Sequence, residues 1–428
     1  MKFSLKMLLI VFLSSLISAC GSQESNSPTA VATLAWKIQT GTAGFDEATK
    51  TKIDGNGSIL VTGQTTGDLH ENVNSGFYDV FVSKYDSQGN RQWTQQFGGG
   101  GSDYATDIAL DSNGNVYVVG YTDGGIDGNA VSGLNDAFIA KISSSGSTLW
   151  IRQLTTPLDD KALGVAVDSI GNPYITGYFF NAFDGSPPSA LSHAFVAKFD
   201  SFGQQLWFQQ FGTTGIDIPH AVAIDAQGNI FVAGDTTGSF AGFTNLGYYD
   251  VFLARLDSTG VPTWIKQIGS DSPDSQSGLA LDLDGNAYIT GTTSGSFDQN
   301  TTIGYGDLFI VKYNSSGNKV WSRQYGTSSV DHSTAIALDT TGNIYIGGDT
   351  GGNFNGGSLP EHGDVFIMKL TSDGLKLWAR QIGTSGFETF PGIAVNGSKL
   401  FLAGHTSGSF TSAANSGAVD IFLLGYDL

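Results

Sequence analysis

The sequence lacks the features of disulfide-rich, membrane-spanning or nucleic-acid-binding proteins. Cys20 is its only cysteine, so no disulfide can form within the chain. The apolar run at residues 7–12 is too short to cross a bilayer as a permanent helix. Only 20 Lys and Arg residues stand against 39 Asp and Glu, and the resulting negative field repels nucleic acid and anionic lipid surfaces. No stretch after residue 19 has an apolar period of 3.6 residues, so we predict no helix in the mature chain.

The first 19 residues have the pattern of an export signal. Two lysines precede the apolar run, and small residues lead to Cys20. Residues 17–20 (Ile-Ser-Ala-Cys) resemble the bacterial lipobox, in which signal peptidase cleaves before a cysteine that then carries lipid. We therefore expect a signal peptide at residues 1–19, a lipidated Cys20, and a flexible polar tether at residues 20–32.

Lipidation would also define where the protein resides. We expect an exported chain that is anchored to the outer membrane through its N-terminal lipid only, on the periplasmic side or at the cell surface. Without the two lysines of the signal, 18 basic and 39 acidic residues leave a mature net charge near −21. The alternative for the N-terminus is a plain signal peptide that happens to end in cysteine.

The seven tryptophans of the chain are spaced at intervals of 57 residues, without any insertion. They are Trp36, Trp93, Trp150, Trp207, Trp264, Trp321 and Trp378. Residues 33–428 number 396, close to seven periods, so nearly the whole mature chain is repeat. A rigid period of this length indicates one supersecondary unit that is repeated in a closed or stacked array.

Each repeat contains four short β-prone segments separated by turn residues, which predicts a four-stranded antiparallel meander. The first turn has Asp and, three residues later, Gly in six copies, a pattern that favours a type I turn with a bulge. In the copy with Asp282, Asp284 and Gly285 this turn also hints at calcium, but no Glu follows at the spacing of a calcium loop. We therefore expect no cofactor, and a divalent cation such as Ca²⁺ stays open as the alternative.

The two ends of the chain predict how the array closes. The last copy supplies three strands and stops at Leu428, whereas residues 34–39 form a strand that has no sheet of its own. We therefore predict an all-β, seven-bladed β-propeller of four-stranded antiparallel blades, in which the N-terminal strand completes the last blade. An open stack would expose two edges and would need polar caps, which we do not find in the sequence.

The repeated motifs resemble those of a known family. They are Trp-x-x-Gln-x-Gly, Ile-Ala-Leu-Asp-x-x-Gly-Asn-x-Tyr-x-x-Gly-x-Thr and Asp-x-Phe-x-x-Lys-x-x-x-x-Gly-x-x-x-Trp. Over essentially all of residues 33–428, the chain resembles the SBBP repeat of bacterial seven-bladed propeller proteins. The resemblance implies the propeller fold and a role in extracellular scaffolding or binding, and it brings no catalytic residue with it.

An acidic residue stands ten positions after every tryptophan. The seven are Asp46, Asp103, Asp160, Asp217, Asp274, Asp331 and Glu388. Sevenfold repetition predicts a ring of carboxylates around one mouth of the central channel. Such a ring is either a collar that binds cations or basic peptides, or a set of latches in which each carboxylate caps loop amides. Its presence in every copy favours the latches.

The third copy departs most from the common pattern, and we expect function where the symmetry breaks. Asp159 adds a second acid before Asp160, and Phe179 replaces a threonine of the other copies. His193 replaces an aspartate, and Tyr178 and Phe180 extend an aromatic run. We predict that these five residues form a ligand-contact patch on the loop-rich face, because aromatic faces suit sugars or hydrophobic protein anchors. The alternative is drift of the repeat, with the rings packed against a neighbouring blade.

Signals for catalysis or for a metal site are weak. The six histidines have no metal-ligand spacing, the lone cysteine is expected to be acylated, and no Gly-x-Ser-x-Gly motif occurs. We therefore expect no enzyme and no metal site, and we predict a monomeric binding or scaffolding module for a protein or glycan partner at the cell envelope. The alternatives are an outer-membrane assembly factor and a propeller enzyme, a hydrolase or lyase, that acts on glycans.

Overall fold

The structure, a computed structural model, describes residues 31–180, 192–354, 363–411 and 415–428. The chain divides into two units, Met1–Ala30 and Val31–Leu428, and all described residues belong to the second. Cys20, the expected signal peptide and most of the expected tether lie outside the described residues.

Within the described residues, 28 strands numbered along the chain form seven four-stranded sheets. The innermost strands of the sheets are β2 (Asp46–Ile53), β6 (Asp103–Leu110), β10 (Asp160–Val167), β14 (Asp217–Ile224), β18 (Asp274–Leu281), β22 (Asp331–Leu338) and β26 (Glu388–Asn396). The second strands are β3 (Ile59–Thr65), β7 (Val116–Thr122), β11 (Pro173–Phe179), β15 (Ile230–Thr236), β19 (Ala287–Thr293), β23 (Ile344–Thr350) and β27 (Lys399–Thr406). The third strands are β4 (Asp79–Tyr85), β8 (Asp136–Ile142), β12 (His193–Phe199), β16 (Asp250–Leu256), β20 (Asp307–Tyr313), β24 (Asp364–Leu370) and β28 (Asp420–Asp427). The outermost strands are β5 (Arg91–Phe97), β9 (Thr148–Leu154), β13 (Gln205–Phe211), β17 (Pro262–Ile268), β21 (Lys319–Tyr325), β25 (Lys376–Ile382) and β1 (Thr33–Thr40).

The sheets are arranged as blades around a common centre. Within each sheet, neighbouring strands are antiparallel and follow the order inner, second, third, outer. Each inner strand contacts the inner strands of the two adjacent sheets, and these contacts run without a break from β2 through β6 to β26 and back to β2. The all-β, seven-bladed propeller predicted from the tryptophan spacing is therefore confirmed.

The ring is closed by the two ends of the chain. Strand β1 pairs antiparallel with β28, with Trp36 opposite Gly425 and Ile38 opposite Leu423. The indole Nε1 of Trp36 also donates to the backbone carbonyl of Ser87 in the adjacent blade, at 3.0 Å. The prediction that the N-terminal strand completes the last blade is therefore confirmed.

Burial is greatest in the middle of each blade. Every residue of β3 and β4 is buried, whereas the outer strand β5 begins with exposed residues. The apolar core lies between blades, where Tyr117 and Ile139 of the second blade pack in one cluster with Ile175 and Phe195 of the third. Each blade therefore needs its neighbours to bury its faces, which is why the repeat is stable only as an array.

The turns between inner and second strands have the predicted Asp-x-x-Gly geometry. In the first copy, Oδ1 of Asp54 accepts hydrogen bonds from the amides of Asn56 at 2.9 Å and Ser58 at 2.8 Å, and Gly57 has a φ of 81°. Nζ of Lys84 lies 2.8 Å from Oδ2 of Asp54, a pairing that recurs in three other blades. Burial alone would raise the pKa of Asp54, but the hydrogen bonds from Lys84 and the turn amides hold this pKa below its ordinary value.

The propeller presents two different faces to solvent. The top face carries the loops from second to third strands and the links from each outer strand to the next inner strand. The bottom face carries the hairpin turns that join inner to second strands and third to outer strands. Two single-turn 3₁₀ helices, Leu69–Glu71 and Phe297–Gln299, lie in top-face loops, and the described residues contain no longer helix.

Candidate functional site

The seven acidic residues that were predicted to ring the channel mouth are buried inside the propeller. Each is the first residue of an inner strand, and none exposes more than 3% of its surface. In the fourth blade, Oδ2 of Asp217 accepts the amide of Thr213 at 2.6 Å, and Oδ1 accepts the hydroxyl of Thr236 at 2.6 Å. Equivalent bonds hold Asp46 and Asp331. These carboxylates therefore act as loop latches, and they do not form the exposed collar that a cation or basic peptide would need.

Burial of these latches disfavours the ionised form of their carboxyl groups. It raises the pKa of Asp103, Asp160 and Asp274 to about 6. For Asp103, the carboxylate of Asp79 adds to this rise. A Cβ atom at Gly98 would lie 2.3 Å from Oδ1 of Asp79 and 2.6 Å from Oδ2 of Asp103, so the two carboxylates crowd around that glycine. Two acidic groups therefore share one buried position at the junction of the first and second blades.

A second latch, made by glutamine, is altered in the third blade. In the fifth blade, Nε2 of Gln324 lies 2.7 Å from Oδ2 of Asp307 at the start of the third strand. In the third blade, His193 stands in place of this aspartate, opposite Phe179, and it is half-buried. Nε2 of Gln210 is buried there without a hydrogen-bond partner among the described residues. His193 therefore modifies the scaffold of the third blade at this latch.

Phe179 is a core residue, and the prediction that it contacts a ligand is corrected by its placement. It has no exposed surface. Its ring stacks on Phe195 with centroids 4.4 Å apart and lies 5.5 Å from Phe208. The position is interior in the other blades as well, because the threonine there turns its hydroxyl inward toward the buried latch, as Thr236 does. Phe179 therefore stabilises the third blade and does not form part of its surface.

Asp159, Tyr178 and Phe180, in contrast, lie together on the top face. The hydroxyl of Tyr178 donates to Oδ2 of Asp159 at 3.4 Å, and the rings of Tyr178 and Phe180 meet edge to face at 5.5 Å. Nζ of Lys161 lies 3.7 Å from the same carboxylate, and Nδ2 of Asn135 donates to its Oδ1. Phe180 is 38% exposed, whereas Tyr178 is 9% exposed. The structure thus brings three of the five predicted contact residues into one cluster.

Four further rings, which the sequence reasoning missed, continue this cluster across the first and second blades. Phe77 and Tyr78 meet edge to face at 4.9 Å, Tyr78 lies 5.4 Å from Tyr104, and Tyr104 stacks on Tyr121 at 4.9 Å. Nζ of Lys161 lies 4.4 Å from the centroid of the Tyr121 ring and links these rings to Asp159. The six rings are called the aromatic strip: Phe77, Tyr78, Tyr104, Tyr121, Tyr178 and Phe180.

Two of the missed rings, Tyr104 and Tyr121, stand at positions that differ from copy to copy. Tyr104 corresponds to Glu47 in the first copy and to Ser275 in the fifth. Tyr121 corresponds in the same way to Gln64 in the first copy. Comparison of repeat positions could therefore have found these rings, although their contact with the third blade depends on how the blades pack.

The aromatic strip is electrically neutral apart from one compensated ion pair. Burial raises the pKa of Tyr121 to about 12, and it also raises the pKa of Tyr78 and Tyr178, so these hydroxyls stay protonated near neutral pH. The charge of Lys161 is offset by Asp159. Neutral, partly exposed rings that touch one another form a surface from which a binding partner gains by excluding water.

Within the part of the chain that the structure describes, no three His, Cys, Asp or Glu side chains come together as a metal site. No helix among the described residues is long and apolar enough to cross a membrane. The aromatic strip itself presents ring faces, hydroxyls and one ion pair.

The repeat is similar to a known family model. The beta-propeller repeat SBBP matches at residues 92–127, 206–241, 263–298 and 320–355. Each match starts beside a tryptophan and runs from an outer strand through the inner and second strands of the next blade. The matched unit therefore includes the link that carries the acidic latch.

Two curated relatives are similar in sequence over part of their length. An uncharacterized WD repeat-containing protein of Acanthamoeba polyphaga mimivirus is 24% identical over 444 residues, which cover 76% of this chain and 32% of that protein. The regulatory protein FlaEY of Caulobacter vibrioides is 25% identical over 207 residues, which cover 43% of this chain and 21% of that protein. The matched regions thus span about a third and about a fifth of the two relatives.

Solved propellers share the fold at low sequence identity. The WD40 domain of Neurospora crassa Pan2 aligns with a TM-score of 0.50 and 11% identity, over 91% of this chain and 95% of that domain. The polysaccharide lyase Uly1 aligns with a TM-score of 0.50 and 10% identity, over 92% of this chain and 99% of that protein. At such identities the likeness shows the fold alone. The chain is therefore a seven-bladed β-propeller in which four segments match the SBBP beta-propeller repeat.

Proposed function

We propose that this protein is an exported, lipid-anchored scaffold that binds a protein partner at the cell envelope through its aromatic strip. The observation that carries the proposal is the continuity of the strip, whose six rings are linked across three blades by ring contacts and by the Lys161–Asp159 pair. A propeller fold and WD-repeat relatives fit a binding scaffold. Export and anchoring rest on Cys20 and the residues before it.

The surroundings of the strip favour a protein over a glycan. Phe77 at one end is 63% exposed and Phe180 at the other is 38% exposed. Beside the hydrogen-bonded pair Asn135 and Asp159, the amide of Leu134 donates to the carbonyl of Leu158. The side chains of these two leucines are 71% and 43% exposed. Aromatic and aliphatic groups of this kind are the anchors that supply most of the energy of protein interfaces. A glycan has few apolar groups with which to cover two adjacent leucines, whereas a protein surface can supply several apolar side chains.

The charge of the chain adds a second property to this surface. A mature net charge near −21 surrounds the neutral strip with a negative field. A partner whose binding site has a basic rim would be attracted by this field, and its association rate would fall as salt is added. We therefore expect a partner with an apolar centre and basic edges.

A pull-down from envelope extract tests the proposal. The bait is the full chain, compared with the double variant Phe77→Ala/Phe180→Ala, which removes the two exposed ends of the strip. The matched control is Phe202→Ala, because Phe202 is 75% exposed in a turn of the bottom face. We expect the double variant to lose a partner by ~10-fold or more, as substitution of interface anchors does, while the control retains it.

Two results would overturn this proposal. Equal capture by the double variant and the wild type would place the binding surface elsewhere on the molecule. Capture that resists protease treatment of the extract but disappears after glycan removal would show that the strip binds a glycan.

A further inference from the structure

A concave pocket on the top face, formed by the fourth, fifth and sixth blades, shares no residue with the aromatic strip. Its volume is about 560 Å³, within the range of ~300–1,000 Å³ that is usual for small-molecule sites. Apolar surface comes from Ile218, Tyr249 and Pro273. The polar lining consists of hydroxyl, imidazole and carboxylate groups: His220, Asp235, Asp274, Ser275, Ser277, Thr292, Ser294, His332 and Ser333. The pocket therefore combines a few apolar walls with a high density of hydrogen-bond donors and acceptors.

One of these hydroxyls lacks the backbone hydrogen bond that its counterparts accept in other blades, because a proline stands at the donor position. In the fourth blade, Oγ1 of Thr237 accepts the amide of Ile216 at 2.8 Å, and the equivalent bond recurs in the first and seventh blades. In the fifth blade the hydroxyl belongs to Ser294 and the donor position is Pro273, which has no amide hydrogen. Ser294 is exposed, and its hydroxyl makes no hydrogen bond within the described residues. Its Oγ is therefore available to a ligand.

Each of the two histidines that line the pocket is paired with an aspartate. Nδ1 of His332 lies 2.8 Å from Oδ2 of Asp349, which orients the ring and leaves Nε2 for a ligand. Nε2 of His220 lies 2.9 Å from Oδ2 of Asp235, which also accepts the hydroxyl of Ser275 at 3.1 Å. Each imidazole therefore faces a carboxylate, and neither pair presents an uncompensated charge that would attract a charged ligand.

We propose that this pocket binds a neutral, hydroxylated ligand, namely a sugar unit of one or two rings. Sugar hydroxyls both donate and accept hydrogen bonds, and they match the hydroxyl of Ser294 and Nε2 of His332, which have no hydrogen-bond partner among the described residues. The ring of Tyr249, with Pro273 and Ile218, supplies apolar surface for the C–H face of a sugar. The site goes beyond the proposed protein-binding role, because it lies on different blades from the aromatic strip.

The test is a calorimetric titration of the full chain with neutral disaccharides, in a detergent without a sugar head group. The probes are maltose, cellobiose and diacetylchitobiose. We expect at least one to bind, and we expect Ser294→Trp, which fills the pocket with an indole, to weaken that binding by ~10-fold or more. Ser294→Ala removes only the hydroxyl and is expected to weaken binding by a smaller factor. The matched control is Leu283→Trp, because Leu283 is 94% exposed in the bottom turn of the same blade.

Each other outcome overturns the inference. If none of the three disaccharides binds, the pocket is not a site for neutral sugars of this size. Galacturonate and butylammonium, titrated in the same way, serve as an anionic and a cationic probe. Binding of only one of these two would show that charge, and not hydroxyl pairing, selects the ligand. Disaccharide binding that is unchanged in both Ser294 variants would place the site elsewhere. The Phe77→Ala/Phe180→Ala variant should still bind the disaccharide, so this inference and the proposed protein interface can fail separately.

Discussion

Gln39 and Asp420 are 381 residues apart in the chain, yet Nε2 of Gln39 lies 3.1 Å from Oδ2 of Asp420. Oε1 of the same glutamine accepts the amide of Phe410 at 2.8 Å. Within the fifth blade, Gln324 makes the same two bonds to residues nearby in the chain, Asp307 and Phe297. The closing junction therefore uses the same latch as an ordinary blade, and the N-terminal strand completes its sheet without a special contact.

Deletion of residues 33–40 should destabilise the propeller and make it associate. Trp36 and Ile38 pack against the cluster that contains Phe401 and Leu423, and their loss should cost about 1 to 2 kcal/mol each, since both are only partly buried. The deletion would also leave β28 as an unpaired edge, which favours pairing between molecules. Thermal unfolding and size-exclusion chromatography measure the two effects.

A deletion of residues 23–30, outside the described residues, is the matched control for this experiment. It shortens the expected tether by the same number of residues and should leave the unfolding temperature unchanged. If the chain without residues 33–40 stays monomeric and unfolds at the wild-type temperature, the closing role of β1 is contradicted.

The buried carboxyl groups predict that stability falls as the pH rises from about 4.5 to about 6.5. Burial raises the pKa of Asp103, Asp160 and Asp274 to about 6, so in this window the folded chain binds more protons than the unfolded chain. Burial lowers the pKa of His70 and His405, which act in the opposite direction but are fewer. Each of the three carboxyl groups should contribute about 1 to 3 kcal/mol, measured as the free energy of unfolding in urea at a series of pH values.

The variant Asp103→Asn isolates one of these groups. Asparagine keeps an oxygen for the amide of Gly99, which donates to Oδ2 of Asp103 at 2.6 Å. It also removes one of the two acidic groups that crowd around Gly98. We expect the variant to be more stable than the wild type at pH 7 by about 1 kcal/mol and to show a weaker dependence on pH. An unchanged slope between pH 4.5 and 6.5 would show that Asp103 does not titrate in this range.

Gln276 offers a test of an unpaired buried amide. It is 3% exposed, and both Nε2 and Oε1 lack hydrogen-bond partners within the described residues. A buried amide left unpaired costs about 1 to 3 kcal/mol. Gln276→Met keeps much of the side-chain volume and removes the polar atoms, so it should raise the free energy of unfolding by about 1 kcal/mol, measured in urea. The control Gln324→Met removes a paired amide and should lower the free energy of unfolding. If Gln276→Met lowers it by a similar amount, the amide of Gln276 is paired.

The architecture could be predicted because every copy repeats the same short sequence motifs. The tryptophan spacing set the number of blades, and the missing fourth strand after Leu428 pointed to β1 as its replacement. The seven acidic residues were predicted to ring one mouth of the channel, and the structure has each of them as the first residue of an inner strand. A collar and a set of latches have the same period, so the sequence could not separate the two. Only burial distinguishes between them, and burial depends on how adjacent blades pack.

The surface of the third blade shows the limit of this reasoning. Phe179 was predicted to contact a ligand because it breaks the repeat symmetry beside a loop of the top face. Its threonine counterpart Thr236 is itself fully buried, with its hydroxyl bonded to the latch carboxylate of Asp217. The contact between Tyr121 and Lys161 joins two blades, and such a pair cannot be found within one repeat. Lipidation of Cys20 stays a prediction.

Hydroxyl-radical footprinting with and without the captured partner tests most directly whether the aromatic strip is the docking surface. We expect Phe77, Tyr104 and Phe180 to become less reactive when the partner is bound, while Phe202 on the bottom face reacts as before. Protection of Phe202 with unchanged reactivity along the strip would show that the partner docks elsewhere.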